Sequence, residues 1–155
     1  MPKYWKRISW ILTVLISGII LGGVFIPPLL IVQKPELAQF FYSLYASLCH
    51  QQAERCYRIL GQPLAVCSRC LGIYSGFFFF SLVYPILGLR LKNWARSRPY
   101  LILIAAIPMV LDVVGGLFRI WSSPLMVRSI TGFFWSSTLP FFWFPALEEL
   151  WPKEK

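Results

Sequence analysis

Between Arg7 and Lys34 the chain carries no charged residue, and within that gap Trp10 to Ile26 is nearly all apolar. A helix rising about 1.5 Å per residue needs about 20 such residues to cross a bilayer. The sequence therefore predicts a first span over about 8–30, ended by Pro27 and Pro28. Further uncharged runs predict spans at about 70–89, 99–118 and 125–147. The third holds the single acid Asp112, and the fourth opens near Arg128 and contains Pro140 and Pro145 as breaks. None of the runs alternates as barrel strands do, so the expected fold is all-α, a polytopic bundle of four transmembrane helices.

Composition agrees with that solvent. Of 155 residues, 57% are hydrophobic and 14% charged, and mean hydropathy is +0.64. Those values exclude a soluble nucleic-acid binder, a disordered chain and a soluble α/β enzyme. The net charge of +9 then reads as topogenic charge flanking the spans, with the lipid bilayer as partner and no nucleic acid. The length allows one domain, 1–155. The basic start resembles a signal peptide, but the apolar run is too long and lacks a small-residue cleavage site, so it is expected to stay attached.

Basic residues cluster before the first span, between the second and third (Arg90, Lys92, Arg96, Arg98) and after the fourth. The positive-inside rule then puts both termini in the cytoplasm of a cell membrane and the long 33–69 loop outside. Trp5, Trp94 and Trp151 fall at the cytoplasmic boundaries, where an aromatic belt is expected.

In the outer loop, Leu37, Phe40, Phe41, Leu44, Tyr45 and Leu48 recur at helical spacing. This predicts an amphipathic helix at 36–48 lying on the membrane surface or packed on the bundle, with Pro35 in its first turn. It delivers Cys49 and His50. An irregular stretch follows, and the 49–70 loop ends on Cys67-Ser68-Arg69-Cys70 at the mouth of the second span. A C-x-x-C pair at a helix start favours thiolates. Such a pair forms a reactive disulfide, or supplies half of a tetrahedral zinc site completed by Cys49 and His50. Two structural disulfides are the plainer alternative for an outward loop. On an unbroken helix, however, Cys49 and Cys56 would be roughly 10 Å apart, beyond disulfide reach.

Asp112 should lie roughly 9 Å below the outer boundary. At that depth an unpaired charge is costly, so Asp112 is expected either to pair with Arg128 as a clamp between the third and fourth spans or to join Arg69, Arg128 and Thr131 in a polar pocket beneath the loop. Gly18-x-x-x-Gly22 and Gly72-x-x-x-Gly76 are spacings for close helix packing, within the bundle or in a homodimer.

The string Cys49-His50-Gln51, Glu54-Arg55, Pro63, then Cys67-x-Arg69-Cys70-x-Gly72-x-Tyr74 resembles a family of small prokaryotic membrane proteins catalogued as a domain of unknown function. Asp112 and Arg128-x-x-Thr131-Gly132 are similar to that family's pattern too. The resemblance covers about residues 40 to 135 and implies Cys49, His50, Cys67 and Cys70 as the matched set. Cys56, Val113 and Leu125 depart from it, which puts Cys56 outside the site.

Four spans with an outer C-x-x-C also resemble, in architecture alone, quinone-linked disulfide-forming enzymes and vitamin K epoxide reductases. The leading expectation is therefore a zinc site of three cysteines and one histidine above the polar pocket. Its rival is a thiol-disulfide oxidoreductase that uses Cys67 and Cys70 against a quinone. A small transporter, or an accessory subunit of another membrane protein, is the third.

Overall fold

The computed structural model describes residues 3–150, and within them every side chain except those at positions 3, 89, 90, 92–96 and 150. Helix α1 (Lys3–Gly23) leads through the short α2 (Ile26–Leu30) to α3 (Pro35–Ala46). A 3-10 turn (Ala53–Arg55) and a hairpin of β1 (Arg58–Ile59) and β2 (Gln62–Pro63) follow, then α4 (Ser68–Arg96), α5 (Leu101–Leu117), α6 (Leu125–Thr138) and α7 (Pro140–Leu150). The fold is thus mostly helical, as expected.

Tyr4–Gly23 and Ser68–Gly88 are long and apolar enough to cross a membrane, and Leu101–Leu117 is a shorter apolar helix. Ile11, Leu12, Leu15, Ile16 and Ile19 on α1, with Leu103, Ile107, Val110, Leu111 and Leu117 on α5, are all exposed. Each such side chain left in water forgoes about 1.5–3 kcal/mol of burial. Lipid around these helices removes that cost.

Several boundaries differ from expectation, each for a local reason. The first break comes at Val24, ahead of the prolines, and Pro27 and Pro28 then open α2. Lacking N–H groups, they leave the carbonyls of Gly23 and Val24 without helical donors. The Val24 carbonyl is taken by the Ala65 N–H at 3.4 Å. The segment leading to Cys67 is thereby tied to the end of α1. Helix α4 runs on to Arg96, because no breaker stands between Gly88 and Pro99; the basic stretch expected as a loop is mostly helix. In the last stretch only Pro140 separates two helices, and Pro145 sits inside α7.

The irregular stretch expected between Cys56 and Cys67 contains a two-residue hairpin, with Ile59 paired to Gln62. Its turn residues Leu60 and Gly61 both have positive φ, 51° and 79°. That is the type I′ geometry whose twist matches antiparallel strands. Trp151, expected as an interfacial anchor, lies outside the described residues, as does the side chain of Trp94.

Contacts set the helix directions. Trp10 Nε1 donates to the Ser81 carbonyl at 2.8 Å and Gly18 faces the Phe78 ring, so α1 and α4 are antiparallel. Gly72 faces Ser129, Gly76 faces Phe133 and Ser136, and Phe80 stacks edge-on with Phe133 at 6.1 Å. Helices α4 and α6 therefore run parallel, in close contact through glycine. Both begin at the end of the bundle that carries the cysteines. The other end brings together Lys6 and Glu148, 3.4 Å apart. Over the cysteine end, Val24, Tyr45, Cys49, Leu64, Ala65 and Val66 form a buried cluster. Tyr45 anchors α3 by donating to the Ile20 carbonyl.

Candidate functional site

Helix α3 ends at Ala46 with Ser47 as its cap, and the Cys49 N–H still bonds the Tyr45 carbonyl at 2.9 Å. This last turn points Cys49 back into the buried cluster. Across from it, the Cys67 carbonyl accepts the Leu71 N–H at 3.0 Å, which makes Cys67 the residue capping α4. Cys70 lies one turn further on. The sulfurs of Cys49, Cys67 and Cys70 lie within 4.8 Å of one another. The Cys67 N–H donates to Cys49 Sγ at 3.2 Å.

Hydrogen bonds from the Cys67 and Cys70 side chains hold the Cys49 thiol well below its usual range, against the opposing effect of burial. All four cysteines are unbridged. Cys56 is buried apart from the cluster, and its thiol faces the Gln52 carbonyl at 3.2 Å. Burial, then the charges of Cys67 and Cys49, push it up to about 11, so it stays a protonated structural thiol.

His50 is exposed and is not among the three clustered ligand residues. It lies on the wall of a cavity of about 380 Å³ that the three cysteines also line. Arg55, Arg69, Arg128, Gln51 and Gln52 line the same cavity, and no carboxylate does.

Asp112 is buried, and its partners differ from the expected clamp with Arg128. Arg69 of α4 donates to one carboxylate oxygen and the Ser123 hydroxyl to the other. Arg128 reaches the same loop by a different atom, with its Nε donating to the Ser123 carbonyl at 3.1 Å. The pair thus ties α4 to α5, and Ser123 links it to α6. The difference arises because Arg69 already points from α4 toward α5 where Asp112 comes level with it. Thr131 is turned to its own helix and donates to the Arg128 carbonyl at 3.1 Å.

Three residues outside the expected ligand and pocket set also shape the site. Gln51 adopts a left-handed φ of 47°, and its amide donates to the carbonyls of Tyr42 at 2.7 Å and Ala65 at 2.8 Å. It staples α3 to the segment leading to Cys67. Ser129 Oγ lies 3.0 Å from the Ser68 carbonyl and 3.1 Å from the Tyr57 hydroxyl, locking α6 to the start of α4. Ser123 is the third. Only the position of Gln51 beside Cys49-His50 signalled it. Gln51→Leu removes the amide donor from the Tyr42 and Ala65 carbonyls and is expected to cost about 2 kcal/mol. Thermal unfolding in detergent checks this, and an unchanged midpoint would remove the staple.

Comparison with known proteins agrees with this core. A family model described as "Predicted membrane protein (DUF2085)" matches residues 49–142, a span that starts on Cys49 and includes every residue of the site. The chain is 34% identical over 109 residues, 70% of its own length and 69% of the relative's, to an uncharacterized protein of Methanocaldococcus jannaschii. It is 30% identical over 88 residues, 55% of its length and 74% of the relative's, to an uncharacterized protein of Methanothermobacter thermautotrophicus. No solved structure matches it. With more than half of its length under that model, beginning at the first clustered cysteine, the chain belongs to the DUF2085 family of predicted membrane proteins.

Proposed function

We propose that this is a four-span protein of the cell membrane, with both termini cytoplasmic, whose outward face carries a zinc site of Cys49, Cys67, Cys70 and His50. The convergence of three sulfurs within 4.8 Å is the observation that carries it. Three cysteine sulfurs at this spacing make a soft donor set, which a soft divalent cation suits once the thiols are deprotonated. His50 adjoins Cys49 and borders the same cavity, which makes it the fourth ligand in this scheme. A closed set of four would be structural and would hold α3 against α4; with His50 displaced, the open position would face the cavity. Support for the topology comes from Lys6 meeting Glu148 and Trp143 Nε1 meeting Thr13 at 3.3 Å, which keep the two chain ends on one side, away from the cysteines.

Protein purified in detergent without chelator should hold about one zinc per chain by mass spectrometry of the metal. Cys67→Ser or Cys70→Ser should reduce zinc about tenfold or more and lower the unfolding midpoint, because metal binding is coupled to folding. Cys56→Ser should change neither. Equal zinc loss from Cys56→Ser, or folded wild type with no metal, overturns the assignment.

The unbridged Cys67 and Cys70 sulfurs, within 4.8 Å of each other, favour a second scheme, thiol-disulfide exchange with a quinone. Cys67 and Cys70 would lose two electrons and two protons as their S–S bond forms, and the quinone would gain both as quinol. That scheme predicts metal-free protein and a mixed disulfide trapped by Cys70→Ser.

A further inference from the structure

The cavity over the sulfurs has a charge pattern that a metal site alone does not need. Arg55 comes from the 3-10 turn, Arg69 from the first turn of α4 and Arg128 from the first turn of α6, and all three line the same space of about 380 Å³. None of its lining residues is acidic. Of these three arginines, Arg69 is ion-paired with Asp112, and Arg128 feels the Asp112 charge without contacting it. The Nε of Arg69 is buried without a hydrogen-bond partner.

Because α4 and α6 are parallel and both start here, two helix N-termini add positive potential and unpaired N–H groups at the same end. Guanidinium groups bind oxyanions through paired N–H donors. A planar carboxylate is satisfied by one such fork. Three guanidinia from three separate elements suit a group whose oxygens point in several directions.

We infer that the cavity binds a phosphate group, held by Arg55, Arg69 and Arg128 beside the cysteine cluster. The inference deepens the metal-site proposal by naming the ligand class of the same cavity, but its arginines are independent of the metal. Asp112 orients Arg69 for this role, which makes it a positioning residue. The phosphate belongs either to a soluble phosphorylated molecule or to a lipid headgroup at the membrane boundary, and the two sources present the same chemistry.

The test uses the full chain in a phosphate-free maltoside detergent, titrated with inorganic phosphate by calorimetry and with short-chain phosphatidylglycerol by native mass spectrometry. At least one probe should saturate. The double variant Arg55→Gln, Arg128→Gln should weaken that probe's Kd about tenfold or more. Arg58→Gln, on the hairpin and outside the cavity, should leave it within about twofold. Saturation by inorganic phosphate supports a soluble ligand, and saturation by the lipid alone supports a headgroup. Saturation by neither, or equal binding by the double variant, overturns the inference. Zinc is measured on the same samples. Zinc without anion binding overturns only the phosphate site, and anion binding without zinc overturns only the metal site.

Discussion

Replacing Asp112 with alanine should destabilise the protein by about 3–5 kcal/mol, the cost of leaving a buried charge without its partner. The Asp112 side chain is 4% exposed and that of Arg69 20%, so the stranded guanidinium would be left with the cavity side alone for hydration. The loss also frees the Ser123 hydroxyl, and with it the loop that Arg128 grips through the Ser123 carbonyl. Asp112→Asn keeps an acceptor for Ser123 and should cost less. The double variant Arg69→Met, Asp112→Leu should recover most of the loss, because an apolar pair of similar volume replaces both charges. Unfolding of wild type, both Asp112 variants and the double variant in mixed micelles compares these losses. A single-variant loss below about 1 kcal/mol would place the pair in water and contradict the buried geometry.

What could be read in the sequence depended on how local its cause was. Charge-free apolar runs marked α1, α4 and α5 because their solvent acts on every residue in them. The C-x-x-C pair and the helical spacing before Cys49 brought three cysteines to one place for the same local reason. For Asp112 the sequence offered Arg128 as a clamp or a shared pocket with Arg69, and could not choose between them. Pairing it with Arg128 assumed that helices adjacent in sequence supply the contact, whereas Arg69 arrives from α4 and Ser123 from the intervening loop. The hairpin was also hidden: its strands are two residues each, and Leu60-Gly61 lacks the Asn-Gly or Asp-Gly signal of a type I′ turn. Cys56 is separated from the other thiols by the path of the 3-10 turn and hairpin, which no spacing rule foretells.

The glycines at the α4–α6 contact carry the second large effect. A Cβ placed on Gly72 would fall on the Ser129 carbonyl, and one on Gly76 would meet the Ser136 hydroxyl. Backbone cannot yield as a flexible side chain does, so Gly72→Ala must push the two helices apart. Overpacking costs typically about 1–3 kcal/mol, and Gly72→Val should exceed Gly72→Ala because a branched side chain needs more room. Gly116→Ala on α5 is the contrast. Nothing lies within 4 Å of its added Cβ, so the better helix propensity of alanine should raise stability by about 0.5–1 kcal/mol. Unfolding midpoints of the three variants read both signs in one experiment. Gly72 lies two residues beyond Cys70, and Ser129 one beyond Arg128. Separating α4 from α6 therefore also moves the cysteine pair away from the Arg128 side of the cavity. Under the proposed zinc site, zinc content should fall in Gly72→Val although every proposed ligand is retained, and it should be unchanged in Gly116→Ala. Full zinc occupancy in folded Gly72→Val would show that the cluster is held by the Gln51 staple and the α3 anchor without the α4–α6 contact.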